Sequence, residues 1–214
     1  MRNQDYVFAK EGHALIFIPL ALFMVTLPFG KWWLTVPLML FTGFAAYFFR
    51  NPERKAPQDE DAYVSPADGK VLEVQRVKED RYLHKEMQKI GIFMSPFDVH
   101  VNRIPRSGVV VDTIYHPGKF ISANRDKASL DNEQCAIIVK DKKDRIYTFV
   151  QVAGYIARRI VCYARAGKEV ETGQRMGLIR FGSRLDVYLP LEAEIPVRVG
   201  QKVRAGETII GRLE

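Results

Sequence analysis

Two uncharged apolar runs near the N-terminus constrain this chain more than any other feature. They cover residues 14–29 and 32–49, and only Gly30 and Lys31 separate them. Each run is close to the shortest length that crosses a hydrocarbon core about 30 Å thick. Two such runs joined by so short a connection predict a membrane-associated helical hairpin over residues 1–50, which either crosses the membrane twice or enters it and returns.

Basic residues flank this hairpin on its outer sides. Positive charge near apolar spans favours the cytoplasmic side, so we expect both ends, and the domain that follows, on the cytoplasmic side of the inner cell membrane. A cleaved signal peptide is disfavoured, because the second run follows at once with no small-residue cleavage site. A hairpin buried in a soluble core is the other alternative. The connection carries only Lys31, whereas the flanks carry Arg2, Lys10, Arg50, Arg54 and Lys55.

The net charge of +7 indicates an anionic partner. Beside two apolar runs, an anionic membrane surface explains this charge, since each nearby basic group contributes about 1 kcal/mol to binding. No basic stripe interleaved with aromatic residues is apparent, so we do not expect nucleic acid as a partner.

The remainder of the chain is typical of a soluble β domain. Residues 51–61 are rich in proline and charge and are interpreted as a linker. From residue 62 to residue 214, short β-branched and alternating runs are separated by Gly, Pro and Asp turns, as in 70–77, 108–115 and 145–152. This pattern predicts a mostly β, antiparallel fold.

A G-x-x-V-x-x-G pattern occurs twice in this domain, at residues 167–173 and 200–206. The pattern suits a turn in which the glycines adopt positive φ and the valine packs inward. It predicts barrel-sandwich, lipoyl-like elements. No lysine lies at a tight hairpin of the kind that carries lipoyl or biotin, so the pattern is interpreted as architecture.

Four segments contain residues suited to chemistry, although each alone has a structural explanation as a turn or an ordinary loop. They are Ser65-Pro-Ala-Asp68-Gly, Ser95-Pro-Phe-Asp-Val-His100, Tyr115-His116-Pro-Gly-Lys119-Phe and Phe181-Gly182-Ser183-Arg184. The two cysteines and four histidines show no metal-ligand spacing, and no metal is expected.

Together, three of these segments meet the requirements of self-cleavage at a Gly–Ser bond. The Ser183 hydroxyl attacks the carbonyl of Gly182, which a glycine leaves unshielded. His100 is the candidate base, and the Asp68 carboxylate is the candidate group that orients it. The resulting ester is eliminated when the Ser183 α-proton is removed, and hydrolysis of the new chain end releases ammonia and leaves a pyruvoyl group.

The ordered set of these motifs resembles the phosphatidylserine decarboxylases, and the short apolar hairpin resembles their compact prokaryotic branch. The resemblance implies a proenzyme that splits into a β chain, 1–182, and an α chain, 183–214. The two chains associate as a heterodimer, and further oligomerisation of that heterodimer is left open. It implies an Asp-His-Ser set at Asp68, His100 and Ser183. It also implies that the pyruvoyl group at position 183 forms a Schiff base with phosphatidylserine in the membrane and yields phosphatidylethanolamine.

This chain departs from the family pattern in two places. Many relatives have a second histidine three residues after the first, where this chain has Arg103, and many have Gly-Ser-Thr where this chain has Arg184 after the serine. His100 is therefore the first candidate for the proton donor in decarboxylation, and His116 is the second. Arg103 and Lys119 are candidates for holding the lipid phosphate.

Three alternatives stay open at this point. A decarboxylase of another serine-headed lipid, such as archaetidylserine, would show the same motifs. A non-enzymatic lipoyl-like membrane adaptor would explain the glycine pattern and the hairpin, but not the ordered Asp, His and Gly-Ser set. An unprocessed serine hydrolase would use the same three side chains, although the G-x-S-x-G turn is missing.

Overall fold

The computed structural model describes residues 6–121, 131–155, 159–180 and 182–213. The chain forms two compact units, Met1–Glu53 and Arg54–Glu214. The first unit contains the helices and the second is mostly antiparallel β, which confirms the predicted fold class. The helices are α1 (His13–Thr26) and α2 (Trp32–Phe48), with 3-10 turns at Lys10–Gly12 and Leu27–Phe29. The strands are β1 (Ala62–Val64), β2 (Gly69–Glu79), β3 (Lys85–Met94), β4 (Val101–Arg103), β5 (Gly108–His116), β6 (Gln134–Asp141), β7 (Ile146–Ala153), β8 (Ile160–Cys162), β9 (Glu169–Val170), β10 (Arg175–Ile179), β11 (Ser183–Leu189), β12 (Lys202–Val203) and β13 (Ile209–Arg212).

The N-terminal unit is the predicted apolar helical hairpin. Gly30 adopts a left-handed conformation with φ of 62°, which reverses the chain between the helices. The open end is closed by a hydrogen bond from the backbone N–H of Ala9 to the carbonyl of Phe49 at 2.8 Å. Lys10–Phe29 is long and apolar enough to span a membrane, whereas α2 is shorter. Length and composition therefore favour membrane association of this unit.

The catalytic candidates all lie in the second unit, whose largest sheet has the order β12-β2-β3-β11-β7-β6-β5-β9. Strand β11 lies in the interior of this sheet, with β3 on one side and β7 on the other. Because side chains alternate across a strand, Ser183 and Leu185 face the hydrophobic core while Arg184 and Asp186 face the opposite side. Ser183 thus begins a strand that is held on both edges.

A smaller sheet of order β4-β10-β8 brings His100 toward Ser183. His100 immediately precedes β4, and β4 pairs with β10. Strand β10 ends at Ile179, so only three residues connect it to Ser183 and the two strand ends lie within roughly 14 Å. This short connection is the structural reason that the His100 segment and the Gly182–Ser183 bond meet.

The repeated glycine pattern lies at the two edges of the large sheet. Each copy contains a short edge strand, β9 or β12, and a buried valine. Every pattern glycine adopts positive φ: Gly167 77°, Gly173 76°, Gly200 89° and Gly206 76°. Within the described residues the two copies therefore occupy matching positions at opposite ends of one strand order.

Candidate active site

The Gly182–Ser183 bond lies where β11 begins. Ser183 is fully buried between Met94 of β3 and Ala153 of β7, and its hydroxyl contacts the Met94 sulfur at 3.4 Å. Gly182 has φ of 66°, in the region that L-residues avoid. A glycine is therefore required by the local backbone, as the sequence predicts. Phe181, the first residue of that predicted motif, lies outside the described residues.

His100 is placed against this bond. Its ring is 2% exposed, and Nε2 accepts a long hydrogen bond from the Gly182 N–H at 3.4 Å. Nδ1 lies 2.9 Å from the carbonyl oxygen of Asp98. A carbonyl can only accept and a backbone N–H can only donate, so both contacts fit the neutral tautomer with its proton on Nδ1. The Nε2 lone pair, which a general base needs, is thereby directed at the Gly182–Ser183 segment.

Asp68 lies at the turn that leads into β2. One carboxylate oxygen pairs with Arg54 at 2.8 Å, and the other accepts the Ala205 N–H at 2.7 Å. A side chain on the next residue, Gly69, would collide with the Phe93 carbonyl, so the turn packs directly against β3. These contacts fix the Asp68 carboxylate within an arginine-rich cluster, while the Asp98 carbonyl holds the His100 ring.

Arg103 belongs to the same cluster as Asp68. It is 5% exposed, and its guanidinium donates to the Gly173 carbonyl at 2.9 Å. Burial, followed by the charge of Arg54, lowers the pKa of Arg103 to about 10, and Asp68 opposes the change. The guanidinium remains charged at neutral pH.

The two remaining candidates are His116 and Lys119. In the strand register, His116 pairs with Gln134, Gln134 pairs with Val152, and Val152 pairs with Arg184. His116 therefore lies three strand spacings, about 14 Å, from Arg184 and on the same face of the sheet, away from the core. Burial and the charge of Arg81 lower the pKa of His116. The structure therefore does not bring His116 to the Gly182–Ser183 bond.

Lys119 lies at the rim of the sheet, at the end where β11 begins. Its carbonyl accepts the Glu133 N–H, and the Glu133 carbonyl accepts the N–H of Ala153, the neighbour of Ser183. Its side chain is 74% exposed, with the ammonium 3.6 Å from Asp131. Lys119 is thus accessible to a ligand that approaches from outside.

Sequence reasoning missed a buried polar pair beneath Ser183. The Gln151 amide donates to the Asn102 side chain at 2.9 Å, and the Asn102 amide contacts the Met94 sulfur at 3.6 Å. Asn102 and Gln151 are fully buried. The signal was present, because Gln151 follows Phe149 in the alternation of β7 and so occupies a core-facing position. A polar residue in such a position marks a site or a network.

Among the described residues, no group of three His, Cys, Asp or Glu side chains is placed to hold a metal ion. The groups available for chemistry are a buried histidine, a buried serine and a glycine in the left-handed conformation. The fold and site thus define a β-rich domain with a histidine-contacted Gly–Ser bond, preceded by an apolar hairpin.

Comparison with known proteins assigns the family. The model of the phosphatidylserine decarboxylase family matches residues 41–211. The chain belongs to this family. It is 48% identical to the phosphatidylserine decarboxylase proenzymes of Geobacter metallireducens and of Geotalea uraniireducens, with full coverage of both chains in each case. It is 45% identical to that of Desulfotalea psychrophila, over 96% of each chain.

Proposed function

We propose that this protein decarboxylates phosphatidylserine to phosphatidylethanolamine with a pyruvoyl group that it makes from Ser183. One observation supports the mechanism: Nε2 of His100 accepts the N–H of Gly182, the residue that precedes the buried Ser183. Family membership and the names of the relatives support the substrate and the precursor form. The headgroup chemistry is the same in an ether lipid such as archaetidylserine.

Self-cleavage begins when His100 accepts the Ser183 hydroxyl proton. The serine oxygen attacks the Gly182 carbonyl carbon, the peptide C–N bond breaks, and an ester links the two residues. Removal of the Ser183 α-proton then expels Gly182 as a carboxylate and leaves dehydroalanine at position 183. Its enamine tautomerises to an imine, and water replaces the nitrogen as ammonia. The absence of a side chain at Gly182 supports the first step, because the space that a Cβ would occupy beside the carbonyl has no atom within 4 Å.

The surroundings of Ser183 fit a pyruvoyl group. Its carbon atoms would be those of the serine, and the Asn102–Gln151 pair lies on the same face of the sheet. The Oε1 atom of Gln151 is buried with no hydrogen-bond partner among the described residues, so it can accept an N–H of an entering amine. The pyruvoyl ketone supplies an electrophile that takes the substrate amine and accepts the electron pair released with carbon dioxide.

Within this site, His100 is our first candidate for returning a proton to the product carbon, and His116 is the second. The position of His100 favours it, since His116 lies on the other face of the sheet. Asp68 is our candidate for the carboxylate that orients His100, and its own position is fixed by the pairing with Arg54. Exposed Lys119 is the better placed candidate for the lipid phosphate, and Arg103 is the buried one.

The two chains made by the cut would stay together as a heterodimer. After cleavage, β11 remains between β3 and β7, β12 remains on β2 and β13 remains on β1. The apolar hairpin would hold this assembly at the inner membrane, with the catalytic domain on the cytoplasmic side, as the flanking basic residues suggest.

Mass analysis of the purified full-length protein tests this proposal. We expect two chains, 1–182 and 183–214, which coelute in native buffer and whose masses sum to the intact chain plus one water minus one ammonia. Replacing Ser183 by Ala should leave one uncut chain of 24.5 kDa. Replacing His100 by Ala should slow cleavage by roughly 10²–10⁴, the usual contribution of a general base.

His116→Ala is the matched control for cleavage, since His116 lies on the opposite face of the sheet. It should be processed at the rate of the natural chain. Decarboxylation of phosphatidylserine in vesicles should follow the amount of cut protein. An active protein that is one continuous polypeptide with an ordinary serine at position 183 would contradict the proposal.

A further inference from the structure

Two exposed aromatic side chains flank Ser183. In the strand register, Ser183 lies between Met94 and Ala153, the last residues of β3 and β7. Phe97 follows β3 by three residues and is 67% exposed, and Tyr155 follows β7 by two residues and is 72% exposed. Both neighbouring strands therefore end beside Ser183, and the connection that follows each of them exposes a large aromatic side chain to solvent.

The opposite end of the same strands has a different character. The connection between β6 and β7 presents Lys142, Lys143 and Asp144, all exposed. Exposure of large aromatic side chains to water is unfavourable. A pair of them at one end of a sheet therefore indicates an interaction surface for another molecule or a membrane. The sheet is thus aromatic at the Ser183 end and charged at the other.

Exposed cations accompany the two aromatic groups. Lys119 is tied through Glu133 to Ala153, as described above, and its ammonium also lies near Asp131. Arg159 is exposed, and its carbonyl accepts the N–H of Arg180, which precedes Ser183 by three residues. Aromatic groups with adjacent basic groups are the combination that binds the interfacial layer of an anionic bilayer.

We propose that Phe97 and Tyr155 form a membrane-docking surface of the catalytic domain itself, inserting into the interfacial layer of a bilayer while Lys119 and Arg159 contact anionic headgroups. This inference rests on the proposed lipid substrate. A headgroup that reacts at Ser183 must reach it without the lipid tails leaving the bilayer, so the surface around Ser183 has to lie against the membrane. The hairpin provides attachment, and these side chains would set the approach of the site.

Tryptophan fluorescence tests docking without relying on catalysis. The chain has two tryptophans, Trp32 and Trp33, and both are replaced by Phe in the uncut Ser183→Ala protein. A single tryptophan is then placed by Phe97→Trp or Tyr155→Trp, with Lys142→Trp as the matched control at the charged end. The proteins are bound to phosphatidylglycerol-containing vesicles with brominated acyl chains.

We expect at least threefold stronger bromine quenching at positions 97 and 155 than at position 142. Equal quenching at the three positions would overturn the proposal. A shift of the tryptophan emission at positions 97 and 155 that depends on protein concentration and occurs without lipid would also overturn it, because a second protein copy would then cover the surface.

A kinetic comparison separates docking from a catalytic or structural role. The fully processed Phe97→Ser/Tyr155→Ser protein is assayed on phosphatidylserine in vesicles and on a dispersed short-chain phosphatidylserine. We expect the apparent KM for vesicles to rise about tenfold, with kcat and the short-chain reaction unchanged, since two interfacial aromatic contacts are lost. An equal loss on both substrates contradicts docking. If the natural sequence decarboxylates neither substrate, the proposed function fails and the quenching result still decides the docking surface.

Discussion

Gly182 is the residue whose backbone conformation matters most for the proposed cleavage. Its φ is 66°, yet an added side chain would meet no atom within 4 Å. Gly182→Ala is therefore expected to fold, while the left-handed conformation costs about 1–2 kcal/mol and slows self-cleavage roughly tenfold. The rate is measured as the appearance of the 183–214 fragment after synthesis in vitro.

Gly182→Asn distinguishes conformation from shielding of the carbonyl. Asparagine is bulkier than alanine but adopts the left-handed region more readily. If conformation is decisive, the Asn variant cleaves faster than the Ala variant. Cleavage of the Asn variant that is as slow as that of the Ala variant, or slower, would show that steric access to the carbonyl controls the reaction.

The candidate reactive residues are easier to propose from the sequence than the groups that contact them. Ser183, Gly182 and His100 stand out because their chemistry depends on residue type and order along the chain. The group that holds the His100 ring is the main-chain carbonyl of Asp98, which no side-chain pattern reveals. Gln151 was missed because its pairing with Asn102 needs the register of two different sheets.

At the level of elements, β11 is held on its outer face by a buried charge network. Arg184 and Asp186 are each 1% exposed and lie 2.5 Å apart. Arg184 also pairs with Glu73, and Lys89 contacts both Glu73, at 2.9 Å, and Asp186, at 3.4 Å. Gly91 leaves room for this cluster, since a side chain there would meet the Arg184 guanidinium. Two cations thus balance two carboxylates on the face of β11 opposite to Ser183.

Arg184→Met should destabilise the domain by about 3–5 kcal/mol, because it leaves buried carboxylates with one cation. Urea unfolding of the uncut Ser183→Ala chain measures the loss. Arg184→Met combined with Asp186→Leu should recover much of it, since the Glu73–Lys89 pair then remains balanced. If the double variant loses the sum of the two single effects, the network does not stabilise β11 as a unit.

The elements themselves were largely predictable. The glycine pattern predicted glycines with positive φ and a buried valine in each copy. The pattern glycines do have positive φ, and Val170 and Val203 are buried. The strand order was not predictable, because the pairing of β11 with β3 joins residues about 90 positions apart and depends on packing of the whole core.

At the scale of the whole molecule, Asp61 joins the beginning and the end of the catalytic domain. Its carbonyl accepts the Leu213 N–H at 3.1 Å. Its carboxylate accepts hydrogen bonds from Lys143 at 2.8 Å, Arg106 at 3.1 Å and Arg145 at 3.3 Å. These contacts, with Lys143 first and Arg106 next, hold the pKa of Asp61 well below its usual value of 3.8.

This arrangement predicts how acid affects the domain. Because the pKa of Asp61 is lower in the folded than in the unfolded state, its stabilisation is complete above about pH 4 and is lost as the pH falls through the folded-state pKa. The urea midpoint of the Ser183→Ala chain should therefore fall as the pH drops below about 4, and Asp61→Asn should reduce this dependence. Asp59→Asn is the matched control, since Asp59 is equally exposed but pairs only with Arg212 among the ion pairs of the described residues. A pH dependence that Asp61→Asn leaves unchanged would place the acid sensitivity elsewhere, first at Asp141, where burial raises the pKa but hydrogen bonds from Arg145 and Lys143 outweigh it.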